Sequence, residues 1–528
     1  MEGQQLHWWQ TRWFVVAMAL AAMVPLLRPE IPPLVDLPGH LGRYRVQLDN
    51  GAHPWLADWY DFRWSLIGNL GIDLLIVPLA PIVGLEMAVK LIVMAIPALT
   101  VTGLLWIARE VHGRIPATAL FALPLAYSYP FQFGFINFVL SMAVALNLFA
   151  LWLRLGRLKR FRFRAALFVP VSCLLWLCHT FGWGVLGVLA FSAEMIRQHD
   201  AGERWFKAWI KAGLGCLPLA LPILLMIFWR SGDHVTGQTT DWFDWRAKIN
   251  WVSMMLRDRW MAFDIASVAV MFMILFKGVR DYRIEYSRNL ILSALFLLAV
   301  FVLLPRIVFG SAYADMRLAP YVVAIALIAL RPKRGLSFRG AATFAALGLV
   351  FVSARLIGTT ISYWMYADSY DRTLVALNHV PVGARLVSFV GRERCADEWA
   401  YSRLEHVPAL ALERRLAYTN DQWSMAGAQL LTARYRPAQR FAHDPSEIVT
   451  GLRCRGEWWR PISMALETFP RDAFDYVWLI RPPRYDPALV EGMTPIWRND
   501  HSTLFRIDRK PPRGEAELAP MKSIGGTG

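Results

Sequence analysis

The feature that most constrains this chain is a series of apolar runs of helical length, separated by short basic loops, that fills residues 1–360 and then stops. The runs lie near 13–27, 86–107, 117–130, 138–153, 165–178, 183–196, 207–229, 260–276, 289–305, 318–330 and 341–359. A bilayer core takes roughly 20 apolar helical residues, so the pattern predicts about 11 membrane spans. The first run is read as an uncleaved helix, because no small-x-small cleavage site precedes the break at Arg28-Pro29-Glu30. The stretch 66–84 is also apolar, but Gly68, Gly71, Pro78, Pro81 and Gly84 interrupt it. It reads as a helix lying along the membrane surface.

Charge separates the chain into two parts. Residues 361–528 hold 42 Asp, Glu, Lys and Arg in 168 positions, a density normal for a soluble domain, whereas residues 1–360 hold only 54. An ordinary soluble enzyme is excluded. Of the net charge of +16, the first part carries +14 and the tail +2. Basic residues in short loops between apolar runs report membrane orientation and not nucleic-acid binding. With the N-terminus inside, the cytoplasmic segments hold 21 Lys and Arg and the opposite loops, 28–65, 230–259 and 306–317, hold 11. If 66–84 crossed, the acid-free basic stretch 154–164 would face outward.

The reading is therefore a polytopic α-helical membrane protein with a soluble periplasmic α/β domain. Residues 1–360 form the helical bundle, with surface helices in the first outer loop, 28–85. Residues 361–509 form the α/β domain, and 510–528, rich in Pro, Gly and Lys, form a disordered tail. In the domain, 384–390 and 474–480 have the pattern of buried strands, and helices are expected near 401–416 and 421–434. Cys395 and Cys454 are its only cysteines, open to a disulfide or to two free thiols. Cys173, Cys178 and Cys216 fall in spans as small apolar side chains.

Candidate chemistry is densest in the first outer loop, Pro32-Pro-Leu-Val-Asp-Leu-Pro-Gly-His-Leu-Gly-Arg43. The Pro-Gly step can begin a helix that sets His40 and Arg43 one turn apart. Asp36 can take a proton from an attacking hydroxyl, while His40 and Arg43 can hold an anionic leaving group. The plain alternative is that Asp36 caps or turns a solvated loop. Arg306, Asp315 and Arg317 lie where a lipid phosphate would sit, although basic residues at helix ends often only snorkel. In the loop 230–259, which also holds His234 and Asp244, Asp241 is the candidate for an acceptor site, the alternative being an interfacial aromatic belt. His179 reads as structural.

These parts, in this order, resemble the GT-C superfamily of polytopic glycosyltransferases. The match comprises Asp36 just after the first span, a broken amphipathic stretch with Trp55, Trp59, Trp64 and Asp73, a basic-inside bundle and a C-terminal soluble domain. The resemblance implies a bacterial inner-membrane enzyme with Asp36 as catalytic base. It would move a sugar from a polyprenyl-phosphate donor to a periplasmic glycan, lipid or protein acceptor. His40, Arg43, Arg306 and Arg317 would then bind phosphate. The chain departs from the pattern in lacking a second acid beside Asp36, so a divalent metal stays open and no metal ligand is assigned. Walker A, Gly-x-Ser-x-Gly, His-Glu-x-x-His, Cys-x-x-Cys and Asp-x-Asp motifs are missing. The competing functions are a transporter or flippase of lipid-linked sugars and a polysaccharide polymerase or ligase.

Overall fold

The computed structural model describes residues 6–228, 238–308, 311–333, 338–395, 398–424, 429–457 and 459–508. The tail 510–528 and His234 lie outside the described residues. After α1 (Arg12–Ala21), capped by Thr11, the first outer loop contains α2 (Leu37–Asp49), α3 (Trp55–Trp59), β1 (Tyr60–Phe62) and α4 (Gly71–Val83). Then come α5 (Leu85–His112), α6 (Tyr129–Phe133), α7 (Ile136–Arg157), α8 (Phe161–Cys178), α9 (Thr180–Asp200), α10 (Trp205–Gly215) and α11 (Leu221–Phe228). The bundle ends with α12 (Trp245–Ser253), α13 (Met261–Arg280), α14 (Arg288–Leu303), α15 (Ala319–Ala329) and α16 (Phe338–Leu374).

Among the described residues, five helical segments are long and apolar enough to cross a membrane: α5, α7, α8, α13 and the one containing α16. Four shorter apolar segments accompany them: Arg12–Leu26, Gly71–Val83, Arg288–Leu303 and Ala319–Ala329. Two of the expected spans take other forms, for reasons visible in their prolines. The run 117–130 is a 3-10 helix over Ala117–Tyr127, with every residue buried, followed by α6. Pro116, Pro124 and Pro130 remove the donors that a continuous α-helix needs. The run 207–229 breaks into α10 and α11 around Pro218 and Pro222.

The bundle has two chemically different ends. At one, Trp9 Nε1 donates to the Ile115 carbonyl at 3.1 Å and β2 (Ile284–Tyr286) pairs with β3 (Leu330–Pro332). Ion pairs Arg157–Glu110 and Arg288–Asp200 lie on the same basic segments. At the other end the first loop, the segment around Arg257 and the C-terminal domain come together. Arg414 of the domain pairs with Glu86 at 2.7 Å, and Arg257 donates to the Trp399 carbonyl at 2.8 Å. Both ends of α4 touch this side: Leu70 N donates to Leu177 O at 2.7 Å, and α4 runs into α5 just before Glu86. Its 13 residues span about 20 Å, too short to cross.

α16 continues beyond residue 360 to Leu374, so the bundle enters the soluble domain as one rigid helix. Tyr363, Tyr366, Ala367 and Tyr370, at helical spacing, are buried, and Tyr370 donates to the Arg403 carbonyl at 2.7 Å. The domain's strands are β4 (Leu386–Arg392), β5 (Leu431–Ala433), β6 (Ile448–Thr450), β7 (Arg460–Pro461), β8 (Tyr476–Ile480), β9 (Met493–Arg498) and β10 (Ser502–Ile507). Six of them form a mixed sheet in the order β7-β6-β4-β8-β10-β9, with β4 and β8 parallel at its centre and Leu386 opposite Tyr476. Short α17 (Ala409–Arg415) and α18 (Ile462–Thr468) pack around it.

The helix expected over 401–416 is shortened to α17, which begins after Pro408. The helix expected over 421–434 does not form among the described residues there. β5 instead pairs antiparallel with β1 of the first loop, Tyr60 opposite Ala433. Cys395 and Cys454 are joined by a disulfide across a separation of 59 residues.

Candidate active site at the seam between bundle and domain

Pro38 opens α2, and the helix presents glycines to the C-terminal domain. A Cβ at Gly39 would meet Trp423 Cη2 at 2.7 Å, and one at Gly42 would meet Gln422 Nε2 at 2.7 Å and the Ala409 carbonyl at 3.0 Å. The domain therefore sits directly on the helix that Asp36 begins. Asp36 occupies the N-cap position but makes no side-chain cap bond, and it is only 9% exposed. It neither caps the helix nor lies in a solvated loop. Its backbone is fixed from the other side, where Asp36 N donates to Phe133 O at 2.9 Å and Val35 N donates to Gln132 O at 3.3 Å.

One buried arginine ties this support together. Arg403 of the domain donates to the Pro33 carbonyl at 2.5 Å, to Gln132 Oε1 at 3.0 Å and to Asp258 Oδ1 at 2.7 Å. Tyr363 of α16 donates to the same Gln132 oxygen at 2.8 Å, and Ser362 donates to Asp258. The first loop, α6, the loop before α13 and α16 thus converge behind Asp36 on one guanidinium, whose planar fork suits this use.

In front of Asp36, His406 Nε2 lies 4.0 Å from Asp36 Oδ1. Burial drives the Asp36 carboxyl up to about 7; Glu405 and Asp444 add to the shift, while His406 and Arg317 oppose it. Burial acts to lower the His406 ring, yet Asp444, Asp36, Asp421 and Glu405 together hold it above its ordinary value. His40 shifts the opposite way, well below the usual histidine range, through burial and the charges of Arg43 and His406. It is a neutral ring lying against Tyr44 and Trp423, with ring centroids 6.0 and 5.0 Å away.

The other sequence candidates divide into three groups. Arg317 faces the same cluster. Its charge reaches Asp36, burial pulls it down to about 10, and among the described residues it makes no ion pair. Its guanidinium rests on Phe135 at 4.2 Å. Arg306 and Asp241 stand together near a half-exposed edge, 3.8 Å apart, with Arg306 N donating to the Asp241 carbonyl. Arg43 and Asp315 are occupied internally. Arg43 pairs with Asp73 at 2.8 Å, both buried, and Asp73 also accepts from Asn137 at 2.9 Å. Asp315 accepts from buried Lys248 at 3.1 Å. His179 Nδ1 accepts from Phe181 N at 3.1 Å, a structural use.

No sequence motif singles out His406, Asp421, Asp444 or Glu447. These lie far along the chain, and His406 and Asp444 come near Asp36 through the docking of the domain on the first loop, β5 on β1 and α17 on α2. The one trace they leave in sequence, two acids three apart in Asp444-Pro-Ser-Glu447, is common in ordinary turns.

No protein-family model matches this chain, and no curated protein sequence matches it significantly. Among solved structures it is similar to ArnT from Cupriavidus metallidurans bound to undecaprenyl phosphate. The likeness has 12% identity and a TM-score of 0.47, and covers 93% of this chain and 97% of that one. At that identity and score it carries no argument about activity or ligand.

Proposed function

We propose that the chain is a glycosyltransferase of a bacterial inner membrane, moving a sugar from a polyprenyl-phosphate donor to a periplasmic glycan, lipid or protein acceptor. The observation that carries this reading is Asp36: a buried carboxylate, free of any capping duty, at the seam between bundle and domain, within reach of the charge of Arg317, which makes no ion pair among the described residues. In the proposed step the acceptor hydroxyl oxygen attacks the anomeric carbon and gives its proton to Asp36. The bond from that carbon to the phosphate oxygen breaks, and the polyprenyl phosphate leaves with the electron pair, needing no acid. Arg317 takes the role of phosphate partner. Arg306, already beside Asp241, supports it from the rim. Neutral His40 offers a hydrogen bond, and Arg43 holds α2 and α4 in register through Asp73.

The test is sugar transfer by purified full-length protein whose copurifying lipid has been identified by mass spectrometry. Asp36→Asn keeps the side-chain shape and removes the base. The expected outcome is a normally inserted protein with transfer reduced about 10²–10⁴-fold. Arg317→Gln should weaken donor binding by roughly 1.5–3 kcal/mol, the value of a charge-assisted contact. Wild-type transfer by Asp36→Asn would overturn the assignment of the base and favour a transporter of lipid-linked sugars.

A further inference from the structure

The cluster in front of Asp36 gathers several buried carboxyls around one imidazole. Glu447 is 0% exposed, and neither of its carboxylate oxygens meets an N–H or hydroxyl donor, its close polar neighbour being the Asp444 carboxyl. Asp421 is equally buried; one oxygen accepts from Thr419 at 2.6 Å and the other has no partner. Asp444 lies beside Glu447 in the same turn. Apart from the His406 imidazole itself, the basic side chains nearby are committed elsewhere. Arg392 pairs with Glu405, and Arg460, whose charge reaches Glu447, donates to the Arg440 carbonyl at 3.1 Å. Native proteins rarely leave buried carboxylate oxygens without a donor, so this arrangement calls for a ligand.

The donor set indicates which kind. One ligand atom each from His406, Asp444 and Glu447 lie within 4.8 Å of one another, close enough to converge on a single ion. His406 Nδ1 is 3.3 Å from the Asp421 carbonyl, the backbone contact that orients a metal-binding imidazole and leaves Nε2 free. We infer that His406, Asp444 and Glu447 form a binding site for a divalent transition-metal cation of the zinc or manganese class, set beside Asp36. One imidazole with two carboxylates suits zinc or manganese better than calcium or magnesium, which favour all-oxygen sites. Asp36 Oδ1 lies 4.0 Å from His406 Nε2, which sets the site next to that carboxylate.

This inference goes beyond the proposed activity and is read without it. The full-length protein in detergent is stripped with chelator, re-equilibrated with Zn²⁺ or with Mn²⁺ alone, desalted and analysed for metal. About one equivalent should be retained, as a single closed site requires. Glu447→Gln and His406→Ala should each lower retention at least tenfold while eluting as a single species. Wild-type protein carrying Mn²⁺ should also show ¹⁴N coupling in pulsed electron paramagnetic resonance, a readout that does not depend on whether the variants fold. Retention of neither ion by the wild type, or bound Mn²⁺ without ¹⁴N coupling, overturns the site and means that Asp444 and Glu447 simply share a proton. Either result leaves Asp36→Asn to decide the transferase reading separately.

Discussion

Gly134 shows how closely the position of Asp36 is specified. It sits at φ +100°, where a side chain is strained, and a Cβ there would lie 2.8 Å from Asp36 N and 3.1 Å from Asp36 Cβ. Gly134→Ala should therefore do two things: cost about 1 kcal/mol or more in backbone strain and push Asp36 off its hydrogen bond to Phe133. A fall in transfer much larger than the change in melting temperature is the expected result; equal losses would show that only folding is affected. The sequence brings Asp36 and His40 together as candidates because one short motif holds both. Arg43 and Asp315 looked equally available to a ligand, because their partners, Asp73 in α4 and Lys248 in α12, lie on other elements. His406, Asp444 and Glu447 were not legible at all, since no local pattern distinguishes them from residues of an ordinary loop.

Between elements, the docking of α17 on α2 and α5 rests on a charged knot. Glu413 of α17 pairs with Arg45 of α2 at 2.7 Å, while Arg414 reaches Glu86 of α5 and Glu30 of the first loop. Burial, and then the neighbouring Glu86, push Glu413 up to about 7. The two carboxyls act as a pair that keeps one proton in the folded state. Between about pH 4.5 and 7 the folded pair holds that proton and the unfolded pair does not, so stability falls as pH rises through this window. Above about 7 the contribution is flat. The melting temperature of the wild type should thus drop over this range by more than that of Glu413→Gln, in which a neutral amide replaces the protonated acid. Parallel curves for the two proteins would remove Glu413 from the account. The strands β4 and β8 were legible from their apolar runs, but β5 was not, because its partner β1 belongs to the first loop.

Across the whole molecule, the apolar pattern predicted a helical bundle but not which runs bend, and the prolines of 117–130 and 207–229 explain where it failed. The relation between the two ends is a matter of contacts. The first loop, the Arg257 segment and the C-terminal domain share one end through Arg45–Glu413, Arg414–Glu86, Arg257–Trp399 and the β1–β5 ladder. The segments around Trp9, Ile115, Glu110 and Arg157 share the other. The second end carries the stretch 154–164, which has six basic and no acidic residues, and under the proposed orientation, read from the distribution of Lys and Arg, this is the cytoplasmic end. That proposal puts the domain in the periplasm, an oxidising compartment in which the Cys395–Cys454 bridge can persist. Reporter fusions after Arg164 and after Arg372 should accordingly report cytoplasm and periplasm. The same compartment for both would mean an even number of crossings between these points. Swapped compartments would instead leave Asp36 and the C-terminal domain on one side, because contacts bind them, but that side would be the cytoplasm. A donor presented at the outer leaflet could then not reach Asp36.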